Sequence, residues 1–71
     1  MRVSGWYESE YGESFFAYEG QSLKYIAKFM LAEFHDDCVG VDIEAHDDEG
    51  NDVSAKLADA VWFESKRKEK S

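Results

Sequence analysis

Seventy-one residues with 16 acids against eight Lys and Arg make one small domain, near the lower limit for a self-sufficient hydrophobic core. The formal charge of −8 disfavours direct binding to nucleic acid or to anionic membrane, because phosphates repel it. A single cysteine, Cys38, rules out an internal disulfide and points to a reducing compartment.

Residues 2–8 and 14–19 are short runs rich in aromatics, separated by a loop that contains Gly12, which predicts an antiparallel hairpin. Alternation puts Val3, Gly5 and Tyr7 on one face and Arg2, Ser4, Trp6 and Glu8 on the other. In the second strand Phe16 and Tyr18 oppose Phe15 and Ala17, so both faces are apolar and cover on both sides is expected.

Gly20 breaks the strand, and Ser22 stands where its hydroxyl can cap a helix. Leu23, Ile26, Ala27, Met30, Leu31 and Phe34 then recur at helical spacing, the stripe of an amphipathic helix packed on the sheet. Tyr25 and Phe29 lie off that stripe, either tucked under loops or offered to a partner. His35, Asp36 and Asp37 end the helix without a glycine.

Residues 38–47 alternate again, with Val39, Val41, Ile43 and Ala45 inward and Gly40, Asp42, Glu44 and His46 outward. Asp48-Glu49-Gly50-Asn51 is turn chemistry, after which Val53, Ala55 and Leu57 return as a partner strand. Residues 53–64 admit two readings. Val53, Leu57, Ala60 and Val61 fit helical spacing behind an Asp52 cap, whereas Val61, Trp62 and Phe63 are strand formers that bunch together. Strand is preferred, because a hairpin turn precedes it. The expected fold is α+β in the order β-β-α-β-β, one antiparallel sheet with one helix on one face. It occupies residues 1–64, followed by a mobile basic tail over 65–71.

Charge is distributed unevenly along this frame. Residues 1–64 hold 15 acids and four bases, and residues 65–71 hold four bases and one acid. Between Glu33 and Asp52 stand nine carboxylates and no Lys or Arg. Self-repulsion of that kind opposes compaction unless cations are interleaved.

Reactive chemistry finds little support. His-Asp-Asp occurs at 35–37 and again at 46–48, but neighbours on an extended segment point apart and chelate poorly. Residues 47–52 lack the spacing of a calcium loop. There is no nucleophile elbow and no glycine-rich phosphate loop. Cys38 beside Asp36 and Asp37 sits in a negative neighbourhood that disfavours its thiolate. The pairs Trp6-Tyr7 and Phe15-Phe16 could stack RNA bases, yet Glu8, Glu10, Glu13 and Glu19 surround them, so core packing is the better reading. No enzyme activity, cofactor or metal is expected.

What remains is a docking surface. Asp36, Asp37, Asp42, Glu44, Asp47, Asp48 and Glu49 are the expected acidic contacts to a basic surface of a larger protein, with Tyr25 and Phe29 as apolar contacts to a partner or a second copy. Alternate residues on a strand are about 6.8 Å apart, roughly two per-strand rises of DNA, so such an array could imitate phosphates to a nucleic-acid-binding protein. In size, charge and expected topology the chain resembles small phage and mobile-element inhibitors, without a motif that fixes a family. The alternative is a homodimeric structural or accessory protein whose acidity serves solubility. No basic segment followed by an apolar run opens the chain and no apolar stretch approaches a membrane span, so a cytoplasmic location is expected.

Overall fold

A computed structural model describes residues 1–69, apart from the side chains of Lys68 and Glu69. The order is β1 (Arg2–Ser9), β2 (Gly12–Glu19), α1 (Leu23–Phe34), a 3-10 turn (His35–Cys38), β3 (Ile43–Asp47) and α2 (Ser54–Glu69). The strands form an antiparallel sheet in the order β2-β1-β3. The α+β class and the antiparallel sheet are as expected; the single helix and the β-β-α-β-β order are not.

β1 and β2 pair in the register Ser9↔Gly12 through Arg2↔Glu19, leaving Glu10 and Tyr11 as the turn. Gly12 takes φ of +112° there, a backbone region that other residues enter only with strain. Met1 and Gly20 exchange both backbone hydrogen bonds at 2.9 Å, so the ladder runs one pair beyond the strands.

α1 begins and ends where its apolar stripe does. Ile26, Ala27, Met30 and Leu31 are buried, and Leu23 and Phe34 pack against the same core while partly exposed. Ser22 sits at the cap position, but its hydroxyl makes no capping bond; its carbonyl accepts from the amides of Tyr25 and Ile26 instead. His35 stops the helix at φ of +57°, its amide returning to the Leu31 carbonyl. It stands where glycine would be the unstrained choice.

The second half departs from expectation in two places. β3 is only Ile43–Asp47, because residues 35–38 form the 3-10 turn and 39–42 a loop. Ile43 and Ala45 still point inward, while Glu44 and His46 are exposed. The turn after Asp47 forms, and the chain starts back as a hairpin: the Asp47 amide donates to Asn51 O and the Val53 amide to Ala45 O, both at 3.0 Å. Ser54 then opens a helix in place of the expected strand. Its hydroxyl lies 2.9 Å from the Ala45 amide, which donates to it, and 3.3 Å from the Ala45 carbonyl. One side chain thereby satisfies the Ala45 amide, which a fourth strand would have paired, and shares the carbonyl that Val53 already occupies.

α2 buries Val53 at its entry, then Leu57 and Val61, while Trp62 and Phe63 are exposed. Only one of the three bunched strand formers therefore reaches the core. Residues 65–69 of the expected tail continue this helix, and Ser65 is buried; Lys70 and Ser71 lie outside the described residues. Both helices contribute to one core with Val3, Tyr7, Phe16, Ile43 and Ala45, so they share one face of the sheet. The radius of gyration, 11.1 Å, is that of a compact chain of this length, about 11 Å. Among the described residues no helix is long and apolar enough to cross a membrane.

Candidate functional site

Cover on both sides of the hairpin is not what the structure shows. On the face away from the helices, Phe15 is 72% exposed and Trp6 37%. Ser4, Ala17, Glu44 and His46 are exposed with them. Register arranges this face in rows: Phe15–Trp6–Glu44 across all three strands, Ala17–Ser4–His46 beside it, Glu13–Glu8 beyond one end and Glu19–Arg2 at the other. Trp6 and Phe15 touch as a tilted pair, ring centroids 6.5 Å apart and planes at 37°. The aromatic pairs thus divide. Tyr7 and Phe16 belong to the core, as expected, whereas Trp6 and Phe15 do not. The expectation of core packing for all four rings is therefore overturned for these two, which strict alternation sets opposite the buried residues.

The expected acidic contacts follow β3 from end to end. Asp36 and Asp37 lie in the 3-10 turn, Asp42 directly precedes β3, Glu44 projects from its open face, and Asp47 closes it ahead of Asp48 and Glu49. Two of the seven have structural work. Asp37 is half-buried and accepts from the Tyr7 hydroxyl at 2.7 Å and the Ser9 hydroxyl at 3.2 Å. Asp47 accepts from the amides of Glu49 and Asn51 and from the Asn51 side chain. Those bonds, the Asn51 amide first, hold the Asp47 carboxyl below the usual carboxylate range. Asp52 is held low likewise by the Ser54 side chain and amide. Among the described residues, no Lys or Arg is seen to pair with a carboxylate between Glu33 and Asp52; Arg67 pairs with Glu64, 3.5 Å apart within α2.

Tyr25 and Phe29 are each 42% exposed on α1. Phe29 leans on Tyr18 of β2 with ring centroids 6.0 Å apart, and the Lys28 ammonium lies 5.4 Å from the Tyr25 ring centre. The Tyr18 hydroxyl donates to Glu33. A groove of about 350 Å³ between the helices is lined by Lys28, Leu31, Ala32, Glu64 and Arg67.

Cys38 is buried, its thiol donating to the His35 carbonyl at 3.6 Å. Burial, with Asp37 and Asp36 adding to it, pushes the thiol up to about 11, the wrong direction for a nucleophile. The two His-Asp-Asp triplets are separated, His35 at the end of α1 and His46 on the open sheet face.

Burial, reinforced by the Asp37 hydrogen bond, raises Tyr7 to about 12. The neutral phenol is the folded form, so its contribution is intact below the ordinary value of about 10 and is lost as pH climbs through about 12. Tyr18, raised by burial and by Glu33, has the same sign, as does Cys38. Stability should therefore decline from about pH 9, first through Cys38 and then through the tyrosines, read as a falling urea midpoint, and decline less in Tyr7→Phe. A midpoint that is flat from about pH 9 to 11.5 contradicts the buried Tyr7–Asp37 contact.

In comparisons with known proteins, the chain matches no family model, no curated protein and no solved structure.

Proposed function

We propose that this protein is a non-catalytic binding module whose acidic surface docks on a basic patch of a larger protein. One observation carries the reading: an uncovered sheet face has aromatic rings at its centre and the carboxylates of Glu8, Glu13 and Glu44 at its margin. That is the anatomy of an interface in which an apolar centre holds the complex while rim charges speed association and select partners. Partners that bind nucleic acid are the favoured class, since their basic grooves complement an array of carboxylates. An inhibitor that occupies such a groove in place of phosphates is the most specific form of this reading.

Affinity capture at low and high salt tests it, with wild type compared to an Asp42→Asn/Glu44→Gln/Asp48→Asn variant. Asp37 and Asp47 stay in place because each holds local structure. The expected result is a partner retained at low salt, released at high salt, and bound at least about tenfold more weakly by the variant, the loss of a few partly screened charge pairs. A partner indifferent to both salt and neutralisation rejects the proposal.

A second reading, a homodimer joined through Tyr25 and Phe29, is favoured by the exposure of both rings beside the outer strand β2. Sedimentation equilibrium separates the two, and a monomer at high concentration removes the dimer.

A further inference from the structure

Resting on the binding role proposed above, we propose that the Trp6–Phe15 pair on the open sheet face is the seat for an arginine side chain of the basic partner. The guanidinium stacks on the rings and is held by Glu44, Glu8 and Glu13.

Three features of the face lead there. The rings are accessible and adjacent, and they are the large apolar groups on this side of the sheet: the flanking row is Ala17, Ser4 and His46. Carboxylates bracket the rings on two sides. Glu44 is the direct cross-strand neighbour of Trp6, about 5 Å away between Cβ atoms. Glu8 and Glu13, themselves opposite each other, stand about 7 Å further along the two strands. Finally, among the described residues the one Lys or Arg on this face is Arg2, four residues from Trp6 and directly opposite Glu19, so the three carboxylates around the rings have no strand neighbour to neutralise them.

An apolar surface bordered by unneutralised acids is a poor seat for a neutral hydrophobic partner, whose binding would desolvate those acids without compensation. It is a worse seat for nucleic acid, whose bases could stack but whose phosphates meet like charge. A guanidinium satisfies both parts. Its plane stacks on aromatic faces and its fork of N–H donors reaches carboxylates at the edge of the stack, which the spherical ammonium of lysine does less well. A second copy of this chain is disfavoured by the same acids, since pairing the face with itself brings like charges together.

The test uses the full chain at about 20 mM salt, where screening is weak. Hexaarginine amide is titrated in, alongside hexalysine, hexacitrulline and a single-stranded octathymidylate, while two-dimensional NMR follows the amides and the Trp6 indole N–H. Hexaarginine is expected to shift the Trp6 indole and the amides of Phe15, Glu44 and Glu8. It should bind more tightly than hexalysine, with hexacitrulline and the oligonucleotide leaving these signals in place. Phe15→Ala removes a ring that is mostly in solvent, so the fold survives. It should weaken hexaarginine about three- to fivefold, the scale of an exposed cation–aromatic contact. Glu44→Gln should weaken it comparably and flatten the salt dependence.

Perturbations centred on residues 42–52 in place of Trp6 and Phe15 overturn the seat while leaving the acidic docking surface intact. No binding of either cationic peptide up to about 1 mM overturns both. Equal binding of hexacitrulline, stacking of the oligonucleotide on Trp6, or self-association that buries Trp6 each overturns the arginine assignment.

Discussion

Gly5→Ala is expected to lower stability by about 3 kcal/mol, near the upper end for added core volume. Gly5 lies in the central strand opposite Ala45 of β3. A Cβ there would sit 1.9 Å from the Glu44 carbonyl oxygen and 2.8 Å from the Ala45 Cα. Both neighbours are backbone, so no rotamer change relieves the overlap, and β3 must move away from β1. A chain of this size has about 4–10 kcal/mol to lose. The urea midpoint should therefore fall by about 2–3 M, for a slope of roughly 1 kcal/mol per M. Because Glu44 stands at the point of contact, the same change should disturb the Glu44 and Trp6 amide signals. A midpoint within about 0.5 M of wild type would show that the strands do not approach as closely as described.

The second large effect belongs to α2. Leu57 is fully buried, and Leu57→Ala should cost about 2–5 kcal/mol through lost transfer free energy and the cavity left behind. Alanine is the better helix former, so the loss would measure packing and not local propensity. Phe63→Ala, at a position 63% exposed on the same helix, is the control and should change stability by less than about 0.5 kcal/mol. The pair discriminates helix from strand. In a strand over residues 53–64, positions 57 and 63 would lie on the same side, and both substitutions would be costly or both cheap. Comparable losses in the two variants would contradict the helix.

Those two sites mark where local pattern and tertiary context parted. α1 was readable to the residue, because six apolar positions at helical spacing between Gly20 and His35 leave one way to bury them. The β1–β2 hairpin was equally readable from its alternation and the Gly12 turn. Residues 53–64 were not, since Val61-Trp62-Phe63 carries strand propensity that is only a weak prior against context. The overlooked signal was Ala55-Lys56-Leu57-Ala58-Asp59-Ala60, a run dominated by good helix formers. It was outweighed by a turn that does begin a hairpin. What ended that hairpin is the Ser54 hydroxyl lying against both backbone groups of Ala45, a contact across nine residues that no spacing rule announces.

The candidate site divides along the same line. Acids along β3 were legible as charge, yet the sequence treats Asp37 and Asp47 like their neighbours, while the fold turns the first toward Tyr7 and the second into the turn after β3. Trp6 and Phe15 were legible as the opposite face to Tyr7 and Phe16. That this opposite face stays bare depended on where the second helix went.

Composition and periodicity alone determined the acidity, the hairpin, the first helix and the identity of most core residues, because each follows from local spacing or from a sum over the chain. The side of the sheet that α2 covers, and hence which aromatics meet water, was decided only in three dimensions. A sheet with apolar residues on both faces can be capped on either, and the choice rests on the long-range packing that places Leu57 and Val61 of α2 in one core with Tyr7 and Ala45.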